Sequence, residues 1–163
     1  MRDYENDSEH LWALIKNIEI AMLTTEEADG SLRSRPMVSA QREFENDLWF
    51  FTEAGSQKVD EIHFHHRVNL TYVDSLNHLF VSVSGTAQIV RDRAKQRELW
   101  SPLLRAWLPQ GPDSPEIALL RIRVDKAEYW ESPSNKMVKL AGFLTRRKER
   151  FETSENRKLT LVH

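Results

Sequence analysis

The run Ile117–Glu131 constrains this chain most. Leu120, Ile122 and Val124 alternate with Arg121, Arg123 and Asp125. That is the period of a strand with one buried and one wet face, and a helix would need spacings of three and four. The run ends at Tyr129-Trp130. Other strand-like stretches precede it, each bounded by turn residues: Ile20–Thr25, Leu32–Ala40, Leu48–Thr52, Val68–Asp74 and His78–Val90. Asp29-Gly30 supplies the positive φ of a hairpin turn. Gly85 interrupts the longest of the earlier strands, where a bulge or barrel corner is expected. Gln41–Asp47 is a second turn, and Pro109–Pro115, with Gly111, is a loop.

Helices are few and peripheral. Asp7-Ser8-Glu9 can open one, with Leu11, Leu14, Ile15 and Ile18 as its apolar stripe. Others are expected after Ser56, over Asp92–Trp100 and within Ser101–Leu108. A short one is suggested by Met137, Leu140 and Leu144. The tail from Thr145 is charged and lacks clear periodicity, apart from a final strand at Leu159–Val162. No repeat or linker divides the 163 residues, so one domain is expected. Short strands, frequent turns and flanking helices suit a small antiparallel barrel, mainly β within the α+β class.

The formal net charge of −2 provides no global basic field for nucleic acid or anionic membrane. There are no cysteines, which removes disulfides, thiolate catalysis and thiolate-bound metals. The start of the chain is acidic and polar, unlike a signal peptide, and no long apolar run follows. A soluble cytoplasmic protein is the expectation. Five tryptophans suit core or interface positions, and some could flank a planar ligand.

The stretch Leu48–Ile62 carries the chemistry. Its aromatic opening favours a strand, Glu53-Ala54-Gly55 makes a turn, and Ser56 is a good N-cap for a helix that presents Val59 and Ile62 on one face. The hydroxyls of Thr52 and Ser56 and the Lys58 ammonium lie near the unpaired N–H groups of that helix start. Together these groups suit a phosphate. A capped surface helix with a solvated lysine fits the same spacing. Pro36 within Leu32–Ala40 argues for an edge or a bulge, since it cannot donate to a ladder. That edge is either a binding surface or an edge blunted by two arginines and a proline. His63-Phe64-His65-His66 is the only histidine cluster. On a helix His63 and His66 would share a face, but no third ligand is evident, so no metal site is expected.

Three segments fall in order: Arg35-Pro36-Met37, Phe51-Thr52-x-x-x-Ser56-Gln57-Lys58 and Ser82-Val83-Ser84-Gly85-Thr86-Ala87. Together they resemble the pyridoxamine 5′-phosphate oxidase-like FMN-binding split barrels, and the general stress protein branch above all, from about Leu11 to about Leu144. The resemblance implies a Greek-key split β-barrel and a homodimer with FMN in a cleft between subunits. Arg35, Pro36, Met37 and Val38 would run along the isoalloxazine ring, with Arg35 also reaching the phosphate. Phe51 and Thr52 would line the ring and ribityl chain, Ser56, Gln57 and Lys58 would hold the phosphate, and Trp130 would approach from the partner chain.

Two positions depart from the oxidases. Gln57 stands where they usually have an arginine, which removes one charge. Downstream of Trp130 there is no Arg-x-His pair for a pyridoxal-type substrate, and the nearest cations, Lys136 and Lys139, match no motif. The resemblance therefore implies an FMN-dependent oxidoreductase of unknown substrate, not a true pyridoxamine phosphate oxidase. A flavin-binding stress or storage protein without turnover is the alternative. A deazaflavin or haem on the same barrel is a third reading, although a histidine cluster beside the phosphate helix makes haem ligation hard to argue. No side chain stands out as a general acid or base, so none is named catalytic.

Overall fold

The computed structural model describes residues 4–41, 43–44, 47–131 and 155–160. The short helix suggested by Met137, Leu140 and Leu144, together with Lys136 and Lys139, lies outside the described residues. Helix α1 spans Tyr4–Ile15, so it begins before Asp7 and ends before Ile18. Strands β1 (Ile20–Glu26) and β2 (Leu32–Val38) form a hairpin. Gly30 takes φ +86 in its turn, and the Asp29 carboxylate accepts from Ser31 N at 2.9 Å. Strand β3 (Asp47–Glu53) leads into α2 (Gln57–Phe64). Strands β4 (Arg67–Asp74), β5 (Leu79–Val90) and β6 (Ile117–Glu131) follow. Helix α3 (Arg93–Leu99) and a 3₁₀ turn at Pro102–Ala106 fill the β5–β6 connection. Strand β7 covers Glu155–Thr160, beginning four residues earlier than the expected Leu159–Val162 and shared with it only at Leu159 and Thr160; Leu161 and Val162 lie outside the described residues.

The strands make one antiparallel sheet in the order β2-β1-β4-β5-β6-β3, with β7 also on β6. Strands β4, β5 and β6 are consecutive neighbours, and β3 returns beside β6, which is a Greek key. Strand β6 is long enough to share one edge. Its first half pairs with β3, from Glu53↔Ile117 to Asp47↔Arg123. Its second half pairs with β7, from Lys126↔Thr160 to Glu131↔Glu155. The sheet curls until its two ends meet. Beyond β2, Ser39 bridges to Phe50, and Ala40 N donates to Trp49 O at 3.1 Å. Along Leu32–Val38 itself, no strand among the described residues pairs the outer edge of β2. The barrel is thus closed at one point and split along a seam, as the family resemblance implies.

Alternation sorts the side chains into two apolar clusters. Leu23, Met37, Leu48, Phe50, Val83, Leu120 and Ile122 face inward, where Leu11 and Ile15 of α1 and Ile62 of α2 join them. Phe51, Ile117 and Leu119 face the other way, against Leu104 and Leu108. Phe51 meets Trp100 edge-on, with centroids 5.3 Å apart. Gly85 makes the bend: the β5–β6 register shifts between Ser84 and Gly85. A Cβ at Gly85 would lie 2.3 Å from the Arg123 carbonyl oxygen and 2.9 Å from Ile122 Cγ2. A backbone oxygen cannot swing aside as a side-chain tip can. Gly85→Ala should therefore destabilise the fold by about 3 kcal/mol, the upper range for overpacking a close-packed site, read as a lowered midpoint in urea unfolding.

Candidate functional site

The β3–α2 turn brings together the groups expected there. Ser56 occupies the N-cap position of α2 with extended backbone (φ −76, ψ 152), but its hydroxyl makes no capping bond. Instead Lys58 Nζ donates to Ser56 Oγ at 3.2 Å and to Thr52 Oγ1 at 3.1 Å, and the two hydroxyls are 3.4 Å apart. Thr52 is buried at 2% exposure and Lys58 is half-buried. Among the described residues no carboxylate forms an ion pair with Lys58. An ammonium has three donors, and the hydroxyls occupy two. Burial, then the neighbouring Arg35, holds the Lys58 pKa below its ordinary value of 10.5. A charge disfavoured in this way is relieved by an anion brought beside it.

Strand β2 faces α2 across the seam through alternate residues. Arg33 Nη1 donates to Gln57 Oε1 at 2.8 Å. Arg35 is turned inward: Nη2 donates to Glu61 Oε2 at 2.8 Å, and Nη1 donates to Thr25 Oγ1. Thr25 in turn donates to Glu61 Oε2 at 2.5 Å. Both charged side chains are largely buried, at 14% and 5% exposure. Glu61 Oε1 is buried without a partner. Burial pushes the Glu61 pKa up, but the bonds from Thr25 and Arg35 outweigh it and the carboxyl ends below its ordinary value.

The remaining expected positions are spread more widely. Pro36 is exposed opposite Met22, Met37 is in the inner core, and Val38 packs toward the outer cluster. Phe51 belongs to that outer cluster. Trp130, half-buried, pairs with Phe80 near the far end of β6 from Ile117. At full extension the thirteen steps from Ile117 to Trp130 span about 40 Å. Helix α2 ends at Phe64, with His65 as C-cap and 3.7 Å from Glu26. His66 therefore does not share a helical face with His63. Among the described residues no three His, Asp or Glu side chains converge as a metal site. No described helix is long and apolar enough to cross a membrane. A shallow cavity of about 240 Å³ lies beside Trp49 and Gln41, where Lys95 is paired with Glu98 and Arg121 with Asp47.

Thr25, Arg33 and Glu61 were not anticipated as site residues. The available signal was two arginines one strand-period apart, which reads equally as a blunted edge. Only the seam brings them to the acid and amide of α2.

A family model described as pyridoxamine 5′-phosphate oxidase like matches residues 6–150. Protein bli-3 of Neurospora crassa is 33% identical over 133 residues, covering 76% of this chain. The match spans 64% of that relative's length, less than two thirds. The general stress FMN/FAD binding protein of Xanthomonas citri superposes with a TM-score of 0.70 at 28% identity, over 83% of this chain and 96% of that one. A protein related to general stress protein 26, of the pyridoxinephosphate oxidase family, from Clostridium acetobutylicum shares the fold. It has a TM-score of 0.68 at 21% identity, covering 86% of this chain and 99% of that one.

The Glu61–Arg35 pair yields a direct test. Removing one partner of a buried pair leaves the other charge uncompensated, so Glu61→Gln should cost about 3 kcal/mol at neutral pH. Because the folded pKa of Glu61 is depressed, its contribution is complete above the ordinary value of 4.5 and fades as pH falls through the folded value. Urea unfolding should show the gap between wild type and Glu61→Gln narrowing below pH 4.5. A gap independent of pH would contradict the linkage.

Proposed function

The chain belongs to the pyridoxamine 5′-phosphate oxidase-like family, and on that premise we propose that it binds FMN and acts as a flavin-dependent oxidoreductase. The observation that carries this is the half-buried Lys58 ammonium, which meets two hydroxyls and no carboxylate among the described residues. Its spare donor suits the terminal phosphate of FMN, and Thr52 and Ser56 add hydroxyl donors beside it. The similar general stress protein of Xanthomonas citri is an FMN/FAD binding protein, which supports a flavin as the ligand here. The unpaired edge of β2 from Arg35 to Val38 offers backbone donors and acceptors to the planar ring. Bound flavin would supply the electron chemistry, while the protein positions it and excludes competing reactions. The missing Arg-x-His pair argues against turnover of a pyridoxal-type substrate.

The visible spectrum of the purified protein, with mass identification of what denaturation releases, tests the cofactor. Reduction of bound flavin by NAD(P)H, with reoxidation by an acceptor, separates an oxidoreductase from a storage protein. Hydrogen bonds to charged groups contribute about 1.5–3 kcal/mol, so Lys58→Ala should weaken FMN roughly 10- to 100-fold. Riboflavin, which lacks the phosphate, should bind as before. Equal loss of both ligands would assign Lys58 to the ring pocket instead.

We propose further that two copies assemble with the flavin between them. One face of β1, β4, β5 and β6 carries Ile20, Met22, Val73 and Phe80 at 40–48% exposure beside Trp130. A contiguous apolar sheet face of this kind suits an isologous interface. In such an assembly a partner chain would bring its own Trp130 toward the site. Light scattering should give about twice 19.1 kDa. Phe80→Glu should yield a monomer that has lost FMN, and a monomer that still binds FMN stoichiometrically would overturn this arrangement.

A further inference from the structure

We infer that Arg33 is a second cation of the phosphate site, delivered from β2 to the space beside Gln57. The inference rests on the flavin-phosphate reading above and adds a ligand-binding residue to it. Arg33 and Arg35 point to the same side of β2, but their circumstances differ. Arg35 is committed to Glu61 and Thr25. The closest charge partner of Arg33 is Glu27, at a loose 3.9 Å, and the side chain is half exposed. Its one good hydrogen bond is to Gln57 Oε1, at 2.8 Å.

Gln57 lies between Ser56 and Lys58 in the chain, so this bond steadies the Arg33 guanidinium against the first residue of α2. A guanidinium has five donors, and the amide oxygen uses one. Planar donor pairs match phosphate oxygens in a way that a lysine does not. Arg33 is also close enough to help lower the Lys58 pKa. The charges facing this space are Arg33, Arg35 and Lys58 against Glu27, Glu53 and Glu61. Glu61 neutralises Arg35; Glu27 approaches Arg33 only to 3.9 Å, and Glu53 forms no ion pair with Lys58 among the described residues, so Arg33 and Lys58 keep donors for the anion. The ligand chemistry selected is a phosphate monoester dianion, gripped by a lysine from the helix and an arginine from the facing strand.

FMN and riboflavin should be titrated at low salt into the full chain as wild type, Lys58→Ala, Arg33→Gln, and Arg33→Gln combined with Gln57→Arg. Arg33→Gln should weaken FMN about tenfold, one charged hydrogen bond's worth, and leave riboflavin unchanged. Because the two side chains already touch, a guanidinium at position 57 reaches the same space. Adding Gln57→Arg should therefore restore most of the FMN affinity. Unchanged FMN binding by Arg33→Gln beside a weakened Lys58→Ala would overturn the role of Arg33 and leave the phosphate reading standing. Equal losses of FMN and riboflavin, or no rescue by Gln57→Arg, would also overturn it. If Lys58→Ala and Arg33→Gln both bind FMN like wild type, the phosphate reading itself falls.

Discussion

A curled sheet whose ends meet at a single bridge needs something to hold its seam. Here that is the buried contact of Arg35 on β2 with Glu61 on α2, braced by Thr25 on β1. Taking both charges out of water is costly, and such pairs often contribute little net stability. What the pair does contribute is position. It sets the distance between β2 and α2, and the groups of the candidate site lie on those two elements and on β3. The proposed anion site would thus depend on the seam, and not on the β3–α2 turn alone.

The same contact divides the cations by role. One guanidinium is neutralised internally and acts as a strut. The ammonium of Lys58 and the guanidinium of Arg33 stay accessible at the rim. A cluster of three positive side chains without an internal acid would repel itself; burial first, and then Arg35, already lowers the Lys58 pKa. Glu61 offsets one of these three charges, through its 2.8 Å contact with Arg35. Its hydrogen bonds from Thr25 and Arg35 both fall on Oε2, while Oε1 is buried without a partner among the described residues.

Periodicity made most of the architecture legible. The alternation of Ile117–Glu131 marks β6 over its observed length, and Gly85 marks the bulge. Local signals also found the helix after Ser56 and its buried residues Val59 and Ile62. They grouped the Ser56 hydroxyl with Thr52 and Lys58 but could not tell that it forgoes the capping bond, because an N-cap hydroxyl and a hydroxyl turned toward Lys58 look identical in sequence. Nor did they find Glu61, whose burial depends on an arginine 26 residues earlier. An acid on a short helix reads as solvated until the partner strand is placed. The helical face proposed for His63 and His66 failed because α2 stops at Phe64, just before the chain extends into β4. Each omission concerns a contact across the seam or an element boundary, where neighbouring residues carry no information about the partner.

The pairing of β3 with β6 has a consequence for how the chain reaches this state. Asp47 on β3 meets Arg121 on β6, 74 residues later. At synthesis rates of about 5–20 residues per second, that gap lasts roughly 4–15 s. Throughout it Leu48-Trp49-Phe50-Phe51 is a strand-forming aromatic segment whose ladder does not yet exist. Segments of this kind are where nascent chains associate with one another. The charges flanking it, Asp47 and Glu53, are the gatekeepers that protect such a segment while it waits. Asp47 then changes occupation: once β6 arrives, the same carboxylate takes up Arg121 at 2.7 Å.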